Sequence, residues 1–98
     1  MNISIINYKF FTIRYIIYES NGIGKEYIGY NDKLIFEGEC INGERNGKGK
    51  EYNDYNGKLE FEGEYLNGER NGKGKEYYKN KLIFDGEYLN DGRNGKFN

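Results

Sequence analysis

The segment Phe36–Tyr52, FEGECINGERNGKGKEY, returns as Phe61–Tyr77, FEGEYLNGERNGKGKEY, changed only at Cys40/Tyr65 and Ile41/Leu66. A third copy, FDGEYLNDGRNGKF, begins at Phe84, and the starts lie 25 and then 23 residues apart. A divergent fourth copy, Phe11–Tyr27, FTIRYIIYESNGIGKEY, aligns without gaps. It keeps Glu19, Asn21, Gly22, Gly24, Lys25, Glu26 and Tyr27, and carries Ile13 where the others have Gly38, Gly63 and Gly86. A period of this size confines the chain to a repeat array, in which each unit buries its apolar face against its neighbours. The 98 residues therefore read as a single repeat domain. Its parts are an N-terminal cap (1–10), a divergent repeat (11–35), two full repeats (36–60 and 61–83) and a partial C-terminal repeat (84–98).

Within a copy the residue types alternate. Phe61-Glu-Gly-Glu-Tyr-Leu66 sets ring or glycine against Glu or Leu, the period of a strand, and Gly72–Tyr78 alternates again. Asn67-Gly-Glu-Arg70 supplies a turn, because Asn and Gly enter positive φ cheaply. The return turn is Asn56-Gly57 in one copy and Asn31-Asp32 or Asn80-Lys81 in the others, Asn-Gly being the strongest hairpin signal of the three. Setting Leu66 opposite Asn71 across a four-residue loop brings Tyr65 against Gly72 and Gly63 against Gly74 on one face. The other face then opposes Glu64 to Lys73 and Glu62 to Lys75. Such opposite-charge pairs contribute ~0.2–1 kcal/mol each, and aromatic cover of strand glycines stabilises a sheet. The register leaves Glu76 on the ring face with no evident partner.

The fold expected is all-β: an antiparallel meander of about eight strands forming an elongated, twisted, mostly single-layer sheet of hairpin repeats. Its structural positions are Phe36, Gly38, Gly47, Gly49, Phe61, Gly63, Tyr65, Gly72, Gly74, Phe84, Gly86 and Tyr88. The Ile-rich start (Ile3, Ile5, Ile6, Ile13, Ile16, Ile17) suits a cap, and Phe97 in a glycine slot closes the other end.

These copies resemble the MORN repeat (membrane occupation and recognition nexus) family. Its pattern, aromatic-x-Gly-x-aromatic-x-x-Gly-x-x-x-Gly-x-Gly, is met by Phe61, Gly63, Tyr65, Gly68, Gly72 and Gly74. The middle copy meets it with Phe36, Gly38, Gly43, Gly47 and Gly49, and has Cys40 in the second aromatic place. The last copy has Asp91 and Phe97 where glycines are expected. The resemblance covers roughly residues 11 to 98. It implies an interaction or scaffolding segment, often dimeric, and, from the family's name, a possible lipid role.

Charge and composition narrow the function classes. Fifteen Lys+Arg against 16 Asp+Glu give a net charge of −1, which removes the electrostatic footprint of a nucleic-acid binder and disfavours an anionic membrane surface. With no His, the commonest general base is missing. The carboxylates recur with the repeat, as Glu37/Glu62, Glu39/Glu64 and Glu44/Glu69 do, which marks scaffold, so no catalytic residue, no metal ligand set and no cofactor is expected. Gly72-Lys-Gly74 runs into a strand without the helix a phosphate loop requires. Cys40 stands alone, so no internal disulfide forms; it fits a small apolar filler in a reducing, cytoplasmic setting. Tyrosine, with 11 copies, is the candidate recognition resource: Tyr27, Tyr52, Tyr55, Tyr77 and Tyr78 form the candidate interaction surface. The expectation is a non-catalytic module that binds a protein partner or itself. Lipid binding, or a small inhibitor that blocks a partner, as an antitoxin does, stands as the alternative.

Overall fold

The computed structural model describes residues 2–7, 14–29 and 31–97. Nine strands form one antiparallel sheet in strict chain order. They are β1 (Asn2–Asn7), β2 (Arg14–Ser20), β3 (Ile23–Ile28), β4 (Lys33–Ile41), β5 (Glu44–Tyr52), β6 (Leu59–Leu66), β7 (Glu69–Tyr78), β8 (Lys81–Leu89) and β9 (Gly92–Phe97). The described residues hold no helix. The longest dimension, 38 Å, is about what nine strands spaced ~4.8 Å apart span. The expected meander is observed, with one strand more than the repeat pattern suggests.

Register places like residues in rows across the strands. Gly24, Gly38, Gly49, Gly63, Gly74 and Gly86 stand opposite one another from β3 to β8. Beside them runs a row in which Glu and Phe alternate: Glu26, Phe36, Glu51, Phe61, Glu76, Phe84. The pairings Gly63–Gly74 and Glu62–Lys75 are those read from the sequence.

The turn end of the hairpin differs from that reading. Leu66 pairs with Glu69, and Tyr65 with Arg70. Asn67 (φ 50°) and Gly68 (φ 88°) form a two-residue turn in place of the four-residue loop, since both central φ values are positive as a primed turn requires. The two surplus residues of β7 are taken up in a bulge between Gly63 and Tyr65. Gly72 sits in that bulge at φ 103°, and the Glu64 carboxylate accepts the Lys73 N–H at 2.7 Å. Gly72 is consequently opposite Tyr88 of the next repeat, not Tyr65, and Glu64 is opposite Lys48, not Lys73.

Other turns depart from expectation too, the β3–β4 turn spanning 29–32 in place of Asn31-Asp32 alone. The β7–β8 turn is Lys79-Asn80 (φ 49° and 66°), one residue earlier than Asn80-Lys81. Asn56-Gly57 is no two-residue turn but part of the loop 53–58, organised by Asn53, whose Oδ1 accepts the N–H groups of Tyr55 and Asn56 at 2.8 and 2.9 Å. In the divergent repeat the turn is Asn21-Gly22 (φ 55° and 76°), and the residue opposite Gly24 in β2 is Glu19, not Ile13. The gapless alignment equates Asn21-Gly22 with Asn46-Gly47, which lies within β5. The middle repeat closes instead on Asn42-Gly43 (φ 51° and 82°), and the residues aligned with that pair in the divergent repeat are Ile17-Tyr18, for which positive φ is costly. The hairpin therefore closes on Asn21-Gly22 without a bulge.

The core is a line of rings. Phe36, Phe61, Tyr65, Phe84 and Tyr88 are buried, and Phe61 is wholly so. The rings meet edge to face, Phe36–Tyr65 at 5.2 Å, Phe61–Tyr65 at 5.5 Å, Phe61–Tyr88 at 5.0 Å and Phe84–Tyr88 at 5.5 Å, an arrangement worth ~0.5–1.5 kcal/mol a pair beyond burial. They lie over the glycine row. A Cβ added at Gly74 would fall 2.5 Å from Phe61 and 2.9 Å from Tyr88. The apolar cap proposed for residues 1–10 lies outside the described side chains, although β1 pairs along β2. Phe97 takes the row position opposite Gly86; its side chain is also outside the described set.

Candidate functional site

The two faces of the sheet use their charges differently. On the ring face each arginine lies over a phenylalanine: Arg45 over Phe36 at 4.3 Å, Arg70 over Phe61 at 4.2 Å, Arg93 over Phe84 at 4.4 Å. Each is gripped by the glutamate of the preceding repeat through Nε and Nη2, Arg45 by Glu26 at 3.0 and 2.8 Å, Arg70 by Glu51 at 3.0 and 2.9 Å, Arg93 by Glu76 at 2.8 and 3.0 Å. Bidentate pairs of this kind are the strongest charge-assisted hydrogen bonds. Tyr65 donates its hydroxyl to Glu51, and Tyr88 to Glu76. Glu76, which had no role in the sequence reading, thus closes a clamp over the rings, as do Glu51 and Glu26. The signal was present: Arg45, Arg70 and Arg93 each follow their phenylalanine by nine residues.

Burial pushes the Glu51 carboxyl up, but the Arg70 and Tyr65 hydrogen bonds outweigh it and hold the group below the usual carboxylate range. At Glu76 the Arg93 hydrogen bond leads and has the same effect. Burial, reinforced by Glu51 and Glu76, drives the Tyr65 and Tyr88 hydroxyls above the tyrosine range. Lowered carboxylates contribute stability that is present above their unfolded value and lost as pH falls through the folded one. Raised tyrosines contribute stability that is present below ~10 and lost above it. The denaturant midpoint is therefore expected to fall on both sides, in acid below pH ~4.5 and in alkali above pH ~10. A midpoint unchanged down to pH ~3 would contradict the clamp.

Cys40 occupies the ring place of its repeat and is buried; a Cβ at Gly24 would lie 2.7 Å from its sulfur. Burial first, then Glu19, pushes the thiol up to about 11. Because the thiolate is the reactive form, labelling by a thiol reagent near neutral pH is expected to be slow in the folded chain and to speed up together with unfolding. Labelling as fast as in the unfolded chain would contradict this.

The opposite face carries a trough. Its floor is the backbone of Gly38, Gly49, Gly63 and Gly74, its volume is about 770 Å³, and charged side chains stand on both sides. The signs alternate strand by strand. β4 presents Glu37 and Glu39, β5 Lys48 and Lys50, β6 Glu62 and Glu64, β7 Lys73 and Lys75, β8 Asp85 and Glu87. The rows oppose acid to base, yet the ion pairs shorter than 4 Å between described residues all run through arginine. Several acids are held: Glu37 and Glu62 accept the hydroxyls of Tyr52 (3.1 Å) and Tyr77 (2.8 Å), and Glu39 and Glu64 accept the bulge N–H groups at 2.7 Å. A second hollow of about 590 Å³ shares Ile23 and Lys25 with the trough and adds Tyr18 and Tyr27.

Three of the five candidate tyrosines come together. Tyr27, Tyr52 and Tyr77 occupy equivalent places along one rim, paired with Leu34, Leu59 and Leu82. Tyr55 stands apart on the loop 53–58, 85% exposed. Tyr78, also exposed, points by strand alternation to the face opposite Tyr77. Missed by the sequence reading was the other rim, where Ile41, Leu66 and Leu89 project, two residues beyond Glu39, Glu64 and Glu87. Among the described residues no group of three or more Cys, Asp or Glu side chains is gathered to hold a metal ion, and none of their helices could cross a membrane, since none is present.

Comparison with known proteins finds no matching family profile and no significantly similar curated protein.

Proposed function

We propose that the chain is a non-catalytic protein-binding or scaffolding module of the MORN-repeat type, acting through the trough face. The observation that carries this reading is the division of labour between the faces. The arginines, the rings and their glutamates are spent on internal clamps, while the trough lysines stand opposite acids without closing to them. The repeated placement of each carboxylate supports a scaffold over a catalytic pair, and the single buried Cys40 suits a reducing cytoplasm. A trough with balanced signs and two apolar rims matches the polar, adaptable surfaces on which proteins recognise one another. The balance of acid and base also counts against a lipid surface, which would need a net positive field.

The test replaces Lys50 by a photo-crosslinking residue and exposes the chain to native lysate, beside the same residue placed at Tyr78 on the other face. A discrete cross-linked protein from the trough position, lost in the Lys48→Glu/Lys73→Glu chain, is expected. Salt-sensitive flotation with phosphoinositide vesicles and no protein adduct would replace this reading with lipid binding. A discrete adduct with one toxin or enzyme whose activity it blocks would specify the inhibitor form.

A further inference from the structure

We infer that the occupant of the trough is an amphipathic α-helix that lies across the strands, with an apolar residue at every seventh position and acid and base alternating at three- and four-residue steps between them. This rests on the protein-binding reading above and specifies its partner.

The argument is one of matched spacing. Each strand presents one sign to the trough, so the sign reverses every ~4.8 Å and repeats every ~9.6 Å along its axis. On an α-helix, residues three and four apart share a face and are separated by ~4.5 and ~6 Å, and residues seven apart by ~10.5 Å. A helix whose exposed charges alternate in sign at those steps sets acid over Lys50 and Lys75, and base over Glu62, in turn. An extended chain does not: its same-face side chains recur every ~6.6 Å and fall out of step with the bands after one position.

The apolar rim has the same period. Ile41, Leu66 and Leu89 lie on alternate strands, 57%, 48% and 51% exposed, and so offer one apolar contact per ~9.6 Å. A side chain every seventh residue of the helix meets each in turn. Because signs balance within the trough, the charges set the register and orientation of the helix and make binding salt-dependent, while the rim supplies apolar burial.

The test is selection of displayed peptides against the whole chain from two libraries. One holds three-heptad helices with Leu fixed at every seventh position and Asp, Glu, Lys, Arg and Ser randomised between. The other is the same with a central proline, which breaks the helix. The helix library is expected to enrich sequences that alternate acid and base at three- and four-residue steps. Their binding is expected to weaken about tenfold or more in Leu66→Asp and in Lys50→Glu/Lys75→Glu, each first shown to melt as the parent does. Enrichment of the proline library alone, lost in the same variants, overturns the helix and leaves the protein-binding reading standing. Binders indifferent to both variants overturn the trough as the docking surface. Failure of both libraries, with no cross-linked protein at position 50, overturns the inference and the reading together.

Discussion

Replacing Gly63 by alanine is expected to destabilise the sheet by about 3 kcal/mol or more, enough to unfold much of a small domain's stability of ~5–15 kcal/mol. The added methyl would meet backbone on two sides, 2.5 Å from the Lys73 carbonyl oxygen and 2.6 Å from the Gly74 Cα, and the Phe61 ring at 2.8 Å on a third. None of these is the loose end of a flexible side chain. Phe61 is fully buried beneath Arg70, so moving it opens the clamp as well as the ring line. The control is Gly92→Ala, whose methyl would have its nearest contact at 3.7 Å from the Leu89 carbonyl oxygen and which is expected to change stability by no more than ~0.5 kcal/mol. Denaturant unfolding of the two variants checks the pair. Equal, small losses would show that the glycine row is not a close approach.

Glu51→Ala carries the second large effect. The carboxylate accepts Nε and Nη2 of Arg70 and the hydroxyl of Tyr65, and lies 3.4 Å from Nη1 of Arg45. Its removal strands one partly exposed guanidinium and the hydroxyl of the buried Tyr65. Breaking a buried pair from one side costs ~3–5 kcal/mol, and the partial exposure of this one brings the expectation to the lower end, about 3 kcal/mol. Arg70→Ala is expected to cost a similar amount, since the Phe61 ring loses its cover as Glu51 loses its partner. The double variant is expected to cost clearly less than the sum of the two, because the stranded charge disappears with its mate. Additive losses would mean that the two groups do not act together.

How far the chain was legible depends on which residues set the geometry. Phe61, Gly63, Gly74 and their copies are fixed by alternation and by repeat spacing, and the strand pairing at the glycine row follows from them. The turn ends were not legible in the same way. Asn21-Gly22 and Asn46-Gly47 are the same dipeptide in aligned positions, and one is a turn while the other lies within a strand. What separates them is the pair four residues earlier: Asn42-Gly43 takes the turn in the middle repeat, whereas the aligned Ile17-Tyr18 enters positive φ only at a cost. Propensity of the dipeptide alone carries no such information. The clamp was hidden for a related reason. Glu51 and Arg70 lie 19 residues apart and meet across an intervening strand, a relation that hairpin pairing by itself does not display. The trough residues were legible as an opposite-charge ladder, but not the hydrogen bonds that Glu37, Glu39, Glu62 and Glu64 make instead to Tyr52, Tyr77 and the bulge N–H groups.

Both large effects belong to one face, and the reading of function belongs to the other. The stability of the fold is assigned to rings, glycines and arginine clamps; the trough charges are assigned to recognition. The most direct measurement is the unfolding free energy of a chain carrying Lys48→Gln, Lys50→Gln, Lys73→Gln and Lys75→Gln together, compared with the parent. The four lysines close no ion pair shorter than 4 Å among the described residues, so the fourfold variant is predicted to retain the parent's stability to within ~1 kcal/mol. A loss of ~3 kcal/mol or more, comparable with Glu51→Ala alone, would contradict the account, because the trough would then be part of what holds the sheet together.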